Sequence, residues 1–212
     1  MYAFTGNPQE DGWNPVTGEQ LKGFLSQVDP IDGKFKTNES TTQVHWRTLP
    51  FYERVALVRI QDPAWTPHNL VAYYLTDQGA LYRLNGLSAP IHDVNAKAPI
   101  KVTDENVIEY LKFFCFFVRG EEGPFLIAED SNDQYIPTEM DDNTRSVIEG
   151  TVRPATFEGK NENGHYLCDA VVFYSNALFI ANFAVEPTGM IQMLDDDPIA
   201  ADLPVSVEAP IS

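Results

Sequence analysis

Cysteine is scarce in this chain: among 212 residues there are two, Cys115 and Cys168. Both sit in apolar stretches, so they read as small hydrophobes of a reduced core rather than as the framework of a disulfide scaffold. Long apolar runs are lacking as well. The longest, Phe113 to Val118, is far below the roughly 18 to 20 residues that cross a bilayer as a helix. The start of the sequence has neither the basic nor the apolar region of a secretory signal. These absences lead to the expectation of a cytoplasmic protein with no membrane segment.

Positive charge is also in short supply. Fourteen Lys and Arg against 31 Asp and Glu give a formal charge of −17, which repels phosphate backbones and anionic membranes and sets nucleic acid aside as a partner. There is no phosphate-cradling glycine loop, dinucleotide fingerprint or nucleophile elbow, and no cofactor is expected. Two cysteines and four scattered histidines give no zinc spacing, and His92 beside Asp93 is a weak ligand pair because adjacent residues diverge. The acidic runs at 129–133 and 195–197 lack the glycine and terminal glutamate of a calcium loop and read as solvated charge; no metal is expected.

What the chain does have is core material: 43% apolar and 12% aromatic residues, enough for one large domain or two small ones. Residues 1–40 read as a loop-rich arm with a short helix from Gly18 to Val28, in which Leu21, Phe24, Leu25 and Val28 share a face. Alternation at Val44, Trp46 and Thr48 predicts a half-buried strand, followed by strands at Val55–Ile60, Asn69–Leu75 and Ala80–Leu84. The last two flank a three-residue hairpin loop at Asp77, Gln78 and Gly79. Tyr73, Tyr74, Tyr82, Trp46 and Trp65 are strand aromatics that read as core before they read as a recognition surface. Pro90 and Pro99 suggest an irregular connection from Ser88 to Pro99, which carries His92 and Asp93. Thr103, Asp104 and Glu105 then cap a helix running to about Val118, and its apolar second half requires burial on more than one side.

A short strand at 125–128 precedes a polar loop and a meander expected at Val147–Phe157, His165–Tyr174, Ala177–Val185 and Met190–Leu194. This gives an α+β fold: a curved antiparallel C-terminal sheet of four to five strands packed on one buried helix, with additional N-terminal strands. Residues 41–194 form the domain, with a sub-boundary near 88–102, and 195–212 are an acidic, proline-rich mobile tail. At the level of layers, one helix followed by a long meander resembles the cystatin-like and nuclear-transport-factor-like cone folds, a likeness that carries no function with it.

The turn at Ser175 and Asn176 permits a register prediction, because a two-residue loop pairs Tyr174 with Ala177 and every further pair follows. One face then carries Cys168, Ala170, Val172 and Tyr174. The other carries Asp169, Val171 and Phe173 opposite Asn182, Ile180 and Leu178. Neither face suits water, so both must be covered or one must line a pocket. The candidate binding residues are Asp169, Asn182, Val171, Phe173 and Ile180, with Asp169 and His165 as the candidate catalytic pair. The spacing of His165 and Cys168 puts them on opposite faces of a strand and disfavours a cysteine nucleophile.

The functional expectation is a non-enzymatic binding or assembly protein that uses an apolar sheet face for a second copy of itself or a protein partner. An acidic inhibitor of a basic target is a variant of that class. The alternative is an isomerase- or lyase-like enzyme for a small apolar ligand, with Asp169 as general base in an apolar pocket.

Overall fold

The computed structural model describes residues 12–31, 36–66, 70–133 and 135–204, so residues 1–11 of the N-terminal arm and 205–212 of the tail lie outside the described residues. The chain is α+β, with antiparallel sheets in two compact units. Among the described residues, one unit takes 12–85 and 89–99 and the other 86–88 and 100–204.

In the first unit the expected periodicities hold. β1 (Asn14–Pro15), β2 (Gln43–Thr48), β3 (Ala56–Gln61), β4 (Ala72–Asp77) and β5 (Ala80–Leu84) form an antiparallel sheet in chain order, and α1 spans Gly18–Ile31. Phe24, Leu25 and Val28 of α1 are buried in one cluster with Val44, Trp46, Val58, Ile60, Ala72 and Tyr74, and Leu21 packs against its margin. Burying that face supplies most of the helix's stability, since an isolated helix of this length is marginal. The β4–β5 turn is tighter than expected. Asp77 pairs with Ala80, leaving Gln78 (φ 51°) and Gly79 (φ 91°) as a two-residue loop with both φ values positive, the twist-matched hairpin geometry.

The connection from Ser88 to Pro99 is corrected: Ala89–Lys97 is a helix, α2. Pro90 falls in the first turn, where a missing N–H costs nothing because that group has no partner inside the helix. Ile91 and Val94 bury its apolar side, and the Tyr52 hydroxyl donates to the Asn95 amide oxygen. Arg54 ties its far end, with Nη2 donating to the Lys97 carbonyl at 2.9 Å while Nε holds Asp77 at 2.7 Å.

The second unit is built on α3 (Val107–Phe117), which begins later than expected. Residues 104–106 form a turn, held by the Thr103 N–H donating to Asn106 Oδ1 at 2.8 Å. Val107, Tyr110, Leu111, Phe113, Cys115 and Phe117 are all buried, as an all-round apolar helix requires. A short hairpin, β6 (Arg119–Gly120) with β7 (Gly123–Pro124), leads to β8 (Leu126–Ala128).

The strand expected at Val147–Phe157 is corrected to a helix and a shorter strand, α4 (Asp142–Thr151) and β9 (Thr156–Lys160). Asp141 starts α4 by accepting hydrogen bonds from the N–H groups of Asn143 and Thr144. β10 (Tyr166–Tyr174), β11 (Ala177–Val185) and β12 (Ile191–Ala200) complete a sheet of order β12-β11-β10-β8, with β9 also on β10. The acidic run 195–197 thus lies in an edge strand rather than in a mobile tail. Bulges opposite the Leu178–Phe179 and Asn182–Phe183 steps bend this edge.

Candidate functional site

Ser175 adopts φ 56° in the turn, and the resulting register pairs Tyr174 with Ala177, Asp169 with Asn182 and Cys168 with Phe183, as predicted. Cys168, Ala170, Val172, Ala181 and Phe183 bury the first face. On that face the Tyr166 hydroxyl donates to the Val102 carbonyl at 2.7 Å, while from α3 the Tyr110 hydroxyl donates to the Gly189 carbonyl at 2.6 Å. Both buried hydroxyls are therefore satisfied. Burial pushes the Cys168 and Cys115 thiols up to about 12, so neither supplies a thiolate nucleophile.

The second face divides into two halves. In one, Val171, Phe173 and Leu178 are buried among Leu126, Ala128, Ile136, Ile148 and Leu203, with Ile180 packed at the margin. The chain covers this half itself, with α4, the loop before it and the segment after β12. The structure therefore places Val171 and Phe173 in core packing.

The other half carries a polar row across four strands: Thr156 on β9, Asp169 on β10, Asn182 on β11 and Asp195 on β12, each the direct partner of the next. Directly opposed side chains on one face are about 5 Å apart at Cβ, so the row is continuous. Asn182 is exposed, and the Asp169 side chain is 14% exposed. Arg153, from the connection between α4 and β9, donates through Nη2 to Asp169 Oδ1 at 2.7 Å and remains 48% exposed. The Asp169 carboxylate is thus held by a guanidinium and does not lie alone among aliphatics. His165 stands in the turn before β10, where its N–H donates to Asn161 Oδ1 at 3.0 Å. No hydrogen bond or ion pair joins the His165 ring to Asp169 among the described residues.

The structure brings Asp169 and Asn182 together and adds Arg153, Thr156 and Asp195, which sequence reasoning missed. Extending the hairpin register one strand further would set Leu194 opposite Asn182; the bulge at the Asn182–Phe183 step brings Asp195 there instead. Arg153 carried no signal, because its position depends on how α4 ends. Beside the row, β12 presents Asp195, Asp196 and Asp197 in succession, and Met190, Met193 and Leu194 are 46%, 39% and 51% exposed.

The arrangement presents anionic and amide acceptors with exposed thioether and leucine side chains, the chemistry of a surface for a cationic, partly apolar partner. Among the described residues, no group of three or more His, Cys, Asp or Glu side chains is placed to hold a metal ion. No helix of the described residues is long and apolar enough to cross a membrane. Compared with the models of known protein families, with curated proteins and with solved structures, the chain matches none.

Proposed function

We propose that the protein is a non-enzymatic binding protein whose partner is another protein presenting arginine or lysine beside an apolar side chain. The observation that carries this reading is the Arg153 guanidinium seated on Asp169 in the polar row: the chain itself shows how that row receives a cationic side chain. Asp195 continues the row on the far side of Asn182, and the exposed Leu194 beside it at the bulge offers the apolar contact that charge alone lacks.

A second copy pairing edge to edge through β12 fits poorly. Two antiparallel β12 strands centred on Asp196 would set three carboxylates against three. The sheet face first suited to self-association is occupied by α4 and its neighbours. The enzyme alternative loses its motivating geometry, since Asp169 is already engaged by Arg153. Two free, buried cysteines support a reducing compartment, and the cytoplasm is proposed on that basis.

The test is calorimetric titration with an arginine-rich peptide. The triple variant Asp195→Asn, Asp196→Asn, Asp197→Asn is compared with a control of equal charge change, Glu39→Gln, Glu105→Gln, Glu149→Gln. The β12 variant should weaken binding about tenfold more than the control, with affinity falling steeply as salt rises. Equal losses in the two variants would mean that the peptide senses only net charge, and the assignment of this surface would be wrong.

A further inference from the structure

The sheet of the first unit has the opposite charge character from that of the second. Strands β2, β3 and β5 contain His45, Arg47, Arg59 and Arg83 and no Asp or Glu, in a chain where acids outnumber Lys and Arg 31 to 14. Pairing collects His45, Arg47 and Arg59 on the side away from the α1 core, whereas Arg83, opposite Tyr74, lies on the core side. His45 lies opposite Arg59, Arg59 opposite Tyr73, and Arg47 is the diagonal neighbour of Arg59. One rung along, Gln61 Nε2 donates to Gln43 Oε1 at 2.9 Å.

Trp13 completes the cluster. The guanidinium carbon of Arg59 lies 4.4 Å from the centre of its ring and that of Arg47 4.9 Å from the same ring. Attraction to the indole does not neutralise the Arg59 charge. Arg59 has no carboxylate partner among the described residues, and its Nε is buried without a hydrogen-bond acceptor. A guanidinium binds best through paired parallel N–H groups, so Arg59 lacks the acceptor that its fork is shaped for. The lack is notable in a protein with a surplus of carboxylates, because a structural pairing for Arg59 would have been easy to place.

We propose that this cluster is a binding site for the carboxylate or phosphate group of a small ligand. Arg59 is the donor, and Trp13 holds its guanidinium beside that of Arg47. The site is separate from the acidic surface of the second unit and stands or falls independently of it.

The test is titration of the full chain with inorganic phosphate and, separately, with succinate, by calorimetry at low salt. Saturable binding of either with one site per chain is expected. Phosphate alone would name a phosphorylated ligand and succinate alone a carboxylic acid. Arg59→Gln should weaken binding about tenfold or more, and Arg59→Lys, which keeps the charge but loses the fork, should fall between. Arg145→Gln, an exposed position in the second unit, should bind as the natural chain does. Arg59→Lys also keeps the test valid if Arg59→Gln does not fold. Absence of saturable binding with both anions, or unchanged affinity in a folded Arg59 variant, would overturn the proposal.

Discussion

The role of Asp169 turns on what remains when its charge is removed. In Asp169→Asn, Arg153 is left without its partner, but it is 48% exposed and rehydrates readily. The loss of stability should therefore be at most about 1 kcal/mol, as for other water-accessible ion pairs, in a urea titration. A loss of about 3 kcal/mol or more would mean that the pair behaves as a desolvated one. Gly120 presents a different constraint, one of space. A Cβ at this position would collide with the Tyr174 hydroxyl and ring. That ring cannot easily move, because it stacks on Phe125 at 4.4 Å between centroids and its hydroxyl accepts from the Glu122 N–H at 3.1 Å. Gly120→Ala should cost about 1–3 kcal/mol, as overpacking typically does. The cost should shrink in a Tyr174→Phe background, and an undiminished cost there would point to the backbone instead.

At the scale of elements, α4 depends on its first residue contacts more than on its apolar side, since Ile148 is its one buried residue. Asp141 accepts from two backbone N–H groups at 3.0 Å and from the Thr144 hydroxyl at 2.6 Å. The Thr144 hydroxyl, its backbone N–H and the Asn143 N–H together hold the Asp141 carboxyl below its ordinary value. Asp141→Ala should lower the thermal midpoint near neutral pH by roughly 2–4 °C, a shift that differential scanning calorimetry resolves. The same element shows where sequence reasoning runs out. α1 and the β10–β11 hairpin were legible because their apolar positions recur with the period of the element, and the two-residue turn left one register. α4 has one buried side chain and so shows no helical apolar period, while Val147 and Ile148 favour a strand. β12 is legible at its start, in the strand expected at Met190–Leu194, but its exposed remainder has no alternation to detect, and pairing with β11 extends it to Ala200. In sequence Pro90 looks like a break, because a proline starting a helix and one ending it look alike until the following turn is placed. Of the candidate site, the Asp169–Asn182 pair was legible from register, whereas Arg153 follows the unread α4 and Asp195 lies just past the expected end of the last strand.

For the whole molecule, charge is partitioned: a cationic face lies on the first sheet, and acids gather at the edge of the second. A formal charge of −17 makes self-repulsion a general cost at neutral pH, one that mild acid relieves. Asp62 works against that relief. Burial, the strongest single influence on it, pushes its carboxyl up. Hydrogen bonds from the Thr42 hydroxyl at 2.6 Å, the Ala64 N–H at 2.8 Å and the Thr41 hydroxyl at 2.8 Å together outweigh burial and hold it below its ordinary value of 3.8. Because the folded value lies below the unfolded one, the stabilisation is complete above the unfolded value and is lost as pH falls through the folded value. All three tryptophans, Trp13, Trp46 and Trp65, belong to the first unit, so indole fluorescence reports on the unit that contains Asp62. Asp62→Asn should therefore lower the urea midpoint seen by tryptophan emission at about pH 7, and the gap from the natural chain should close as pH falls towards about 3. A gap of constant size across that range would mean that Asp62 contributes through its shape and hydrogen-bond count rather than through its charge.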